Sequence, residues 1–168
     1  KQKKYNKKYS HMKYNYLNIY NNLIKLTRNK KLYLNLEKED TFSERLIFLF
    51  LHLALFLKHF KSSIPPKSLQ ELFDFIIRQL ELSIREIGYG DVSVNKKMKE
   101  FVNLFFHIVE EIEKTELNDH KNQLTLLKKY LNIDKNLEFY GDYFNKYRLF
   151  LSKNTLNNFT KDIINLNF

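Results

Sequence analysis

The 168-residue chain contains no cysteine, which excludes disulfides, thiol catalysis and Cys-ligated zinc and is compatible with a reducing compartment. Proline occurs only as the adjacent Pro65 and Pro66, and glycine only as Gly88, Gly90 and Gly141. Alanine occurs once, at Ala54, whereas Lys, Asn, Ile, Phe and Tyr abound. That bias resembles low-GC coding, so single Lys and Asn choices carry little weight. Strand signals are scarce, with few valines, no Asn-Gly or Asp-Gly turn and little alternation. Acidic residues are missing before Glu37, where ten basic ones stand; from Glu37 onward there are nineteen of each sign. The whole net charge of +10 therefore belongs to the first 36 residues.

Such asymmetry suggests an anionic partner for a basic arm over residues 1–13, either a phospholipid surface or ribosomal RNA. Lys1, Lys3, Lys4, Lys7, Lys8 and Lys13 are its candidate contacts, and a solvated lysine tail is the plainer alternative. The basic start passes into polar, tyrosine-rich sequence rather than an apolar core segment, so no secretory signal is expected. His11, His52, His59, His107 and His120 show no HExxH or similar spacing, and no metal or other cofactor is expected. His52 and His59 stand two helical turns apart, which reads as one core and one surface histidine.

What is abundant points to a helical core. Apolar residues make up 43% of the chain, with 15 Phe and 11 Tyr, enough for one compact domain over residues 14–168. The strongest apolar run, LIFLFLHLALFL (Leu46–Leu57), rises only about 18 Å as a helix, against the ~30 Å of a bilayer core. It is expected at the centre of a soluble domain, with no segment of membrane length. Leu17, Ile19, Tyr20, Leu23 and Ile24 predict a first helix ending near Arg28. Thr41 with Glu44 forms a capping box opening a helix to about Lys61, and Pro65–Pro66 end it. Ser68 with Glu71 reads as a second capping box. After it, Leu69, Leu72, Phe73, Ile76, Leu80, Ile84 and Ile87 hold a 3.6-residue period. Met98, Phe101, Val102, Phe105, Ile108, Val109 and Ile112 repeat it, with Lys96, Lys99, Glu100, Asn103 and Glu110 opposite. Asp119 is expected to cap a helix through Leu131 and Asp142 another through Leu151, while residues 154–168 are ambiguous. The fold class is all-α, a single multi-helix domain.

The stretch REIGYGDVSVNKKMK (Arg85–Lys99) holds two of the three glycines. A dinucleotide fingerprint would need a preceding strand and a third glycine, but a long helix precedes and position 93 is serine. No Walker Gly-Lys-Ser/Thr occurs. Gly-x-Gly-Asp also resembles the motif of intramembrane aspartyl proteases, and FYGD (Phe139–Asp142) offers a second aspartate, but no membrane-length segment is expected to hold either. A helix corner explains the glycines better: Gly88 as the left-handed terminator, Gly90 for the reversal, Ser93 as the next N-cap. Lys96 and Lys99 would then share a face on the following helix's first turns, where its dipole disfavours cations. That placement suggests a recognition surface, with solvated lysines as the alternative.

The same stretch resembles the signature of the ubiquinol–cytochrome c chaperone family, Arg-Glu-x-Gly-x-Gly-Asp followed by Lys-Lys-x-Lys. EDTFSERLIFLFLHLALFLKHFK (Glu39–Lys61) is similar to the family's Asp-Thr-x-x-x-Arg segment and Leu-His helix, here Leu51 and His52. LQELFDFIIRQLELSIRE resembles its Leu-Phe-Asp helix (Leu72, Phe73, Asp74), and YNNLIKLTRNKKLY (Tyr20–Tyr33) its first helix. The resemblance covers about Tyr20–Ile112 and is loose beyond. It implies a non-enzymatic assembly factor for respiratory complex III that binds newly made cytochrome b, works with a small helical partner near the ribosomal exit, and lies peripheral to a bacterial inner membrane on its cytoplasmic side, or on the equivalent matrix side. The candidate client or partner surface is Arg85, Glu86, Gly88, Gly90, Asp91, Lys96, Lys97 and Lys99. Glu86 and Asp91 could instead pair with the lysines as an internal latch. A ribosome- or RNA-binding module acting through the basic arm is the alternative reading. A hydrolase using Glu86, Asp91 or His52 has no nucleophile–base pair behind it.

Overall fold

The computed structural model describes residues 15–36 and 41–161, among which the chain forms seven α-helices and no strand. They are α1 (Tyr16–Thr27), α2 (Phe42–Phe60), α3 (Pro66–Glu86), α4 (Asp91–Lys114), α5 (His120–Leu131), α6 (Leu137–Lys153) and α7 (Leu156–Lys161). Short 3-10 turns follow α1 and α2 at Lys30–Leu32 and Lys61–Ser63. The basic arm and its six lysines, Lys1 to Lys13, lie outside the described residues, as do residues 162–168 of the ambiguous tail.

Helix α2 is the axis of the molecule, packing against α1, α4, α5 and α6. It begins where expected. The Thr41 hydroxyl accepts from the Glu44 amide and the Glu44 carboxylate accepts from the Thr41 amide, satisfying two donors that a helix start otherwise leaves unpaired. The segment Phe42–Ser63 exceeds the apolar run, and by length and composition it is long and apolar enough to cross a membrane. The sequence reading measured the run alone and fell short. In the fold, eleven of the helix's side chains, among them Phe48, Phe50 and Phe56, are buried against its neighbours.

Other helix starts differ from expectation for local reasons. Pro66 is the first residue of α3, where its missing N–H costs nothing, so the prolines open that helix as well as separating it from α2. Ser68 is consequently inside the first turn, and the Ser68–Glu71 box does not form; the Glu71 carboxylate accepts from the Tyr16 hydroxyl at 3.1 Å instead. Asp119 caps α5 as read, accepting from the Asn122 amide at 3.0 Å. Asp142 is no cap, because α6 starts after Asn136; Asn132 and Asn136, both with positive φ, bracket a short α5–α6 connection. Gly141 is buried within α6, where a Cβ would stand 2.8 Å from a Leu124 methyl, so α5 and α6 approach closely there.

The core histidine is His52, fully buried, whereas His59 is exposed. Its Nδ1 lies 2.6 Å from the Phe48 carbonyl oxygen and its Nε2 2.7 Å from the Tyr143 hydroxyl. A carbonyl only accepts, so Nδ1 carries the proton and Nε2 accepts from Tyr143. The Tyr147 hydroxyl donates to the His52 carbonyl at 3.0 Å, so polar bonds tie α2 to α6 in two places. Burial disfavours the charged ring and lowers its pKa to about 4.

Candidate functional site: the α3–α4 corner

Helices α3 and α4 form a hairpin whose tip carries the motif. The apolar stripe of α3 is buried at Leu72, Ile76, Leu80 and Ile84 and that of α4 at Val94, Phe105, Ile108 and Ile112, so the two helices share one core face. The α3 period ends one turn earlier than read: Ile87 is the C-cap and is 55% exposed. Gly88 follows with φ +103°, a left-handed conformation that ends the helix without a Cβ clash, and its amide donates to the Arg85 carbonyl at 2.9 Å.

Gly90, in extended backbone, is itself the N-cap of α4, and the Val94 amide donates to its carbonyl at 2.9 Å. Ser93 is therefore already helical and caps nothing. The earlier start also moves the lysines. Lys96 and Lys97 stand in the second turn and Lys99 in the third, beyond the first turn over which the helix dipole acts. The argument that these cations occupy a dipole-disfavoured position loses its force; their exposure remains.

Every residue from Arg85 to Ser93 is exposed, and Val94 is the first to turn inward. The sequence-predicted residues are thus brought together on one surface: Arg85, Glu86, Gly88, Gly90, Asp91, Lys96 and Lys99 are exposed and Lys97 is half-buried. Asp91 does not pair with a lysine. Arg85 reaches across the corner to the Asp91 carboxylate and back one turn to Glu81 at 3.0 Å, joining the end of α3 to the start of α4. These hydrogen bonds, chiefly that to Asp91, raise the guanidinium's pKa further. A latch exists, then, but it is Arg85 that closes it. Among the described residues no ion pair joins Glu86 or Asp91 to Lys96, Lys97 or Lys99. Lys97 instead lies over the Tyr89 ring, 4.7 Å from its centroid.

Two features escaped the sequence reading. Ile87, Tyr89 and Val92 are exposed by 55, 43 and 85%, an apolar cap on the charged corner. Ile87 continues the α3 period in the sequence, so its exposure follows only from that helix ending at Glu86. The other feature is an apolar groove of about 430 Å³ between α2, α3 and α4, lined by Leu57, Leu69, Phe73, Phe105 and Val109 and rimmed by the Lys61–Glu113 ion pair at 2.8 Å. Its parts come from three helices, so no local pattern announces it. The described His, Asp and Glu residues form no group able to hold a metal ion.

Fold and corner together define a class: an all-α protein whose distinctive residues are gathered on an exposed helical hairpin tip. A family model described as ubiquinol-cytochrome C chaperone matches residues 35–128, more than half of the chain. The chain belongs to this family, whose role is that of a chaperone in assembly of respiratory complex III. The match spans α2, α3, α4 and most of α5 and includes the whole corner. It begins after the α1 segment that the motif resemblance had included and extends past Ile112. Searches of curated proteins and of solved structures gave no match.

Proposed function

We propose that this protein is a non-enzymatic chaperone that binds newly made cytochrome b and supports its entry into the ubiquinol–cytochrome c reductase complex. The observation that carries the reading is the family match across the corner, taken with the exposure of its charged motif residues, all but the half-buried Lys97. Arg85, Glu86, Gly88, Gly90, Asp91, Lys96, Lys97 and Lys99 form the surface for the client or for a small helical assembly partner. The glycines shape it, the Arg85–Asp91 pair holds its two helix ends together, and the lysines face outward to anionic groups. The site of action is the cytoplasmic face of a bacterial inner membrane, or the equivalent matrix face, with the basic arm (Lys1, Lys3, Lys4, Lys7, Lys8 and Lys13) adding peripheral attraction to anionic lipid, at about 1 kcal/mol per basic residue near the surface.

Deletion of the gene tests this reading. Cytochrome b and complex III activity should fall together while other respiratory complexes persist; normal complex III in the deletion strain would sink the proposal.

One observation favours an added contact with the ribosome. Lys25, Arg28, Lys30 and Lys31 are exposed on or just after α1 and continue the acid-free basic segment. Binding of ribosomal RNA should then weaken steeply with salt as bound cations release counterions, and salt-insensitive binding would remove this contact.

A further inference from the structure

We infer that the tip of the α3–α4 hairpin enters the headgroup region of an anionic membrane, with Ile87, Tyr89 and Val92 reaching toward the acyl chains and Lys96, Lys97 and Lys99 meeting lipid phosphates. This deepens the reading of the corner as a contact surface and rests on it.

Three arguments lead to lipid. The first is exposure. Three apolar side chains within six residues stand open to solvent at the end of a hairpin, and a Cβ at either Gly88 or Gly90 would meet nothing within 4 Å, so the tip projects free of the body. The second is spacing. Val92, Lys96 and Lys99 follow one another along one face of α4, and a 1.5 Å rise per residue sets the two lysines roughly 6–10 Å behind Val92. That offset matches the ~5–10 Å by which an interfacial element buries its apolar part, leaving the ammonium groups at phosphate depth. Tyr89, with Lys97 over its ring, has the amphipathic character suited to the same level.

The third argument is charge. Arg85 engages Asp91 and Glu81, so both carboxylates are held within the corner and its one positive charge offsets one of theirs. Glu86 lies within electrostatic reach of Tyr20 on α1, and Glu100 stands behind the lysines, farther from the tip. Lys96 and Lys99 form no ion pair among the described residues. A positive collar behind an apolar end complements an anionic bilayer. A neutral protein groove would satisfy the apolar residues but not the collar.

The cysteine-free chain permits a clean test. The full-length Val92→Cys variant, carrying an environment-sensitive fluorophore, is mixed with vesicles of phosphatidylcholine alone or with an equal part of phosphatidylglycerol. Asn103→Cys, on the same face about 16 Å farther along the helix, is the control. The proposal expects a blue shift at position 92 with the anionic vesicles, quenched by lipids brominated on their acyl chains, and none at position 103. Changing Lys96, Lys97 and Lys99 to Gln should weaken vesicle partition roughly fivefold per lysine. Emission at position 92 that stays unshifted overturns the proposal, whether the chain remains in solution or sediments by its arm alone. A shift produced only by detergent-solubilised cytochrome b also overturns it and assigns the tip to the client. No cytochrome b is present in the vesicle assay, so its failure is separate from failure of the chaperone reading, which the deletion strain scores.

Discussion

Two glycines separated by one tyrosine do different work at the corner. Gly88 has φ +103°, which a side chain tolerates poorly even where space is open, while Gly90 is extended and sits at an N-cap, where a hydroxyl can accept from a first-turn amide. The same substitution should therefore have opposite signs. Gly88→Ser is expected to cost about 1–2 kcal/mol and Gly90→Ser to be neutral or stabilising by a few tenths, as read from urea denaturation. Equal effects would mean that the corner is not held in the conformation described. Legibility at this scale follows locality. Gly88 as terminator, Thr41 and Asp119 as caps could be read because each acts within four residues of itself. Ser68, Ser93 and Asp142 were misread because Pro66, Gly90 and Asn136 start their helices earlier, and a proline or glycine start shows no side-chain acceptor to compete with the obvious one.

Among the elements, α2 and α6 depend on each other through His52. Its ring is neutral because charging it would place an uncompensated cation in the core. The unfolded ring, with an ordinary pKa near 6.5, gains a proton that the folded ring refuses until about pH 4. Folding stability contributed by the neutral site is thus complete above about pH 6.5 and declines as pH falls toward 4, by on the order of 3 kcal/mol. Urea midpoints measured across that window should fall, and ring NMR signals should keep the neutral, Nδ1-protonated pattern at pH 5. Tyr143→Phe leaves Nε2 without its donor and should cost about 1–3 kcal/mol. Tyr147→Phe should cost less, because it removes one donor to a carbonyl that lies within a helix. The apolar run with its capping box predicts α2, and the helix expected through Leu151 covers part of α6; the histidine spacing gives one core and one surface residue, and the fold makes His52 the core one. The partnership with Tyr143, 91 residues away, is a property of packing that no window of sequence contains.

At the scale of the molecule, the sequence placed the charged residues of one motif together, and the fold keeps them together on a projecting hairpin while α2 carries the core. What the motif reading lacked was the apolar cap of Ile87, Tyr89 and Val92 and the groove beneath α3 and α4, because exposure and concavity arise only once three helices have packed. The family assignment rests on α2 to α5, so a function carried by the corner should be lost when the corner's charge is reversed and survive when the fold alone is perturbed slightly.

The most direct measurement is affinity purification of a tagged chain from gently solubilised native membranes, beside a copy carrying Lys96→Glu, Lys97→Glu and Lys99→Glu. Cytochrome b should be enriched with the first and lost from the second, while both copies are recovered in folded form. Ribosomal proteins without cytochrome b, or no cytochrome b with either copy, would contradict the chaperone account; cytochrome b retained by both would keep the function and remove the corner from it.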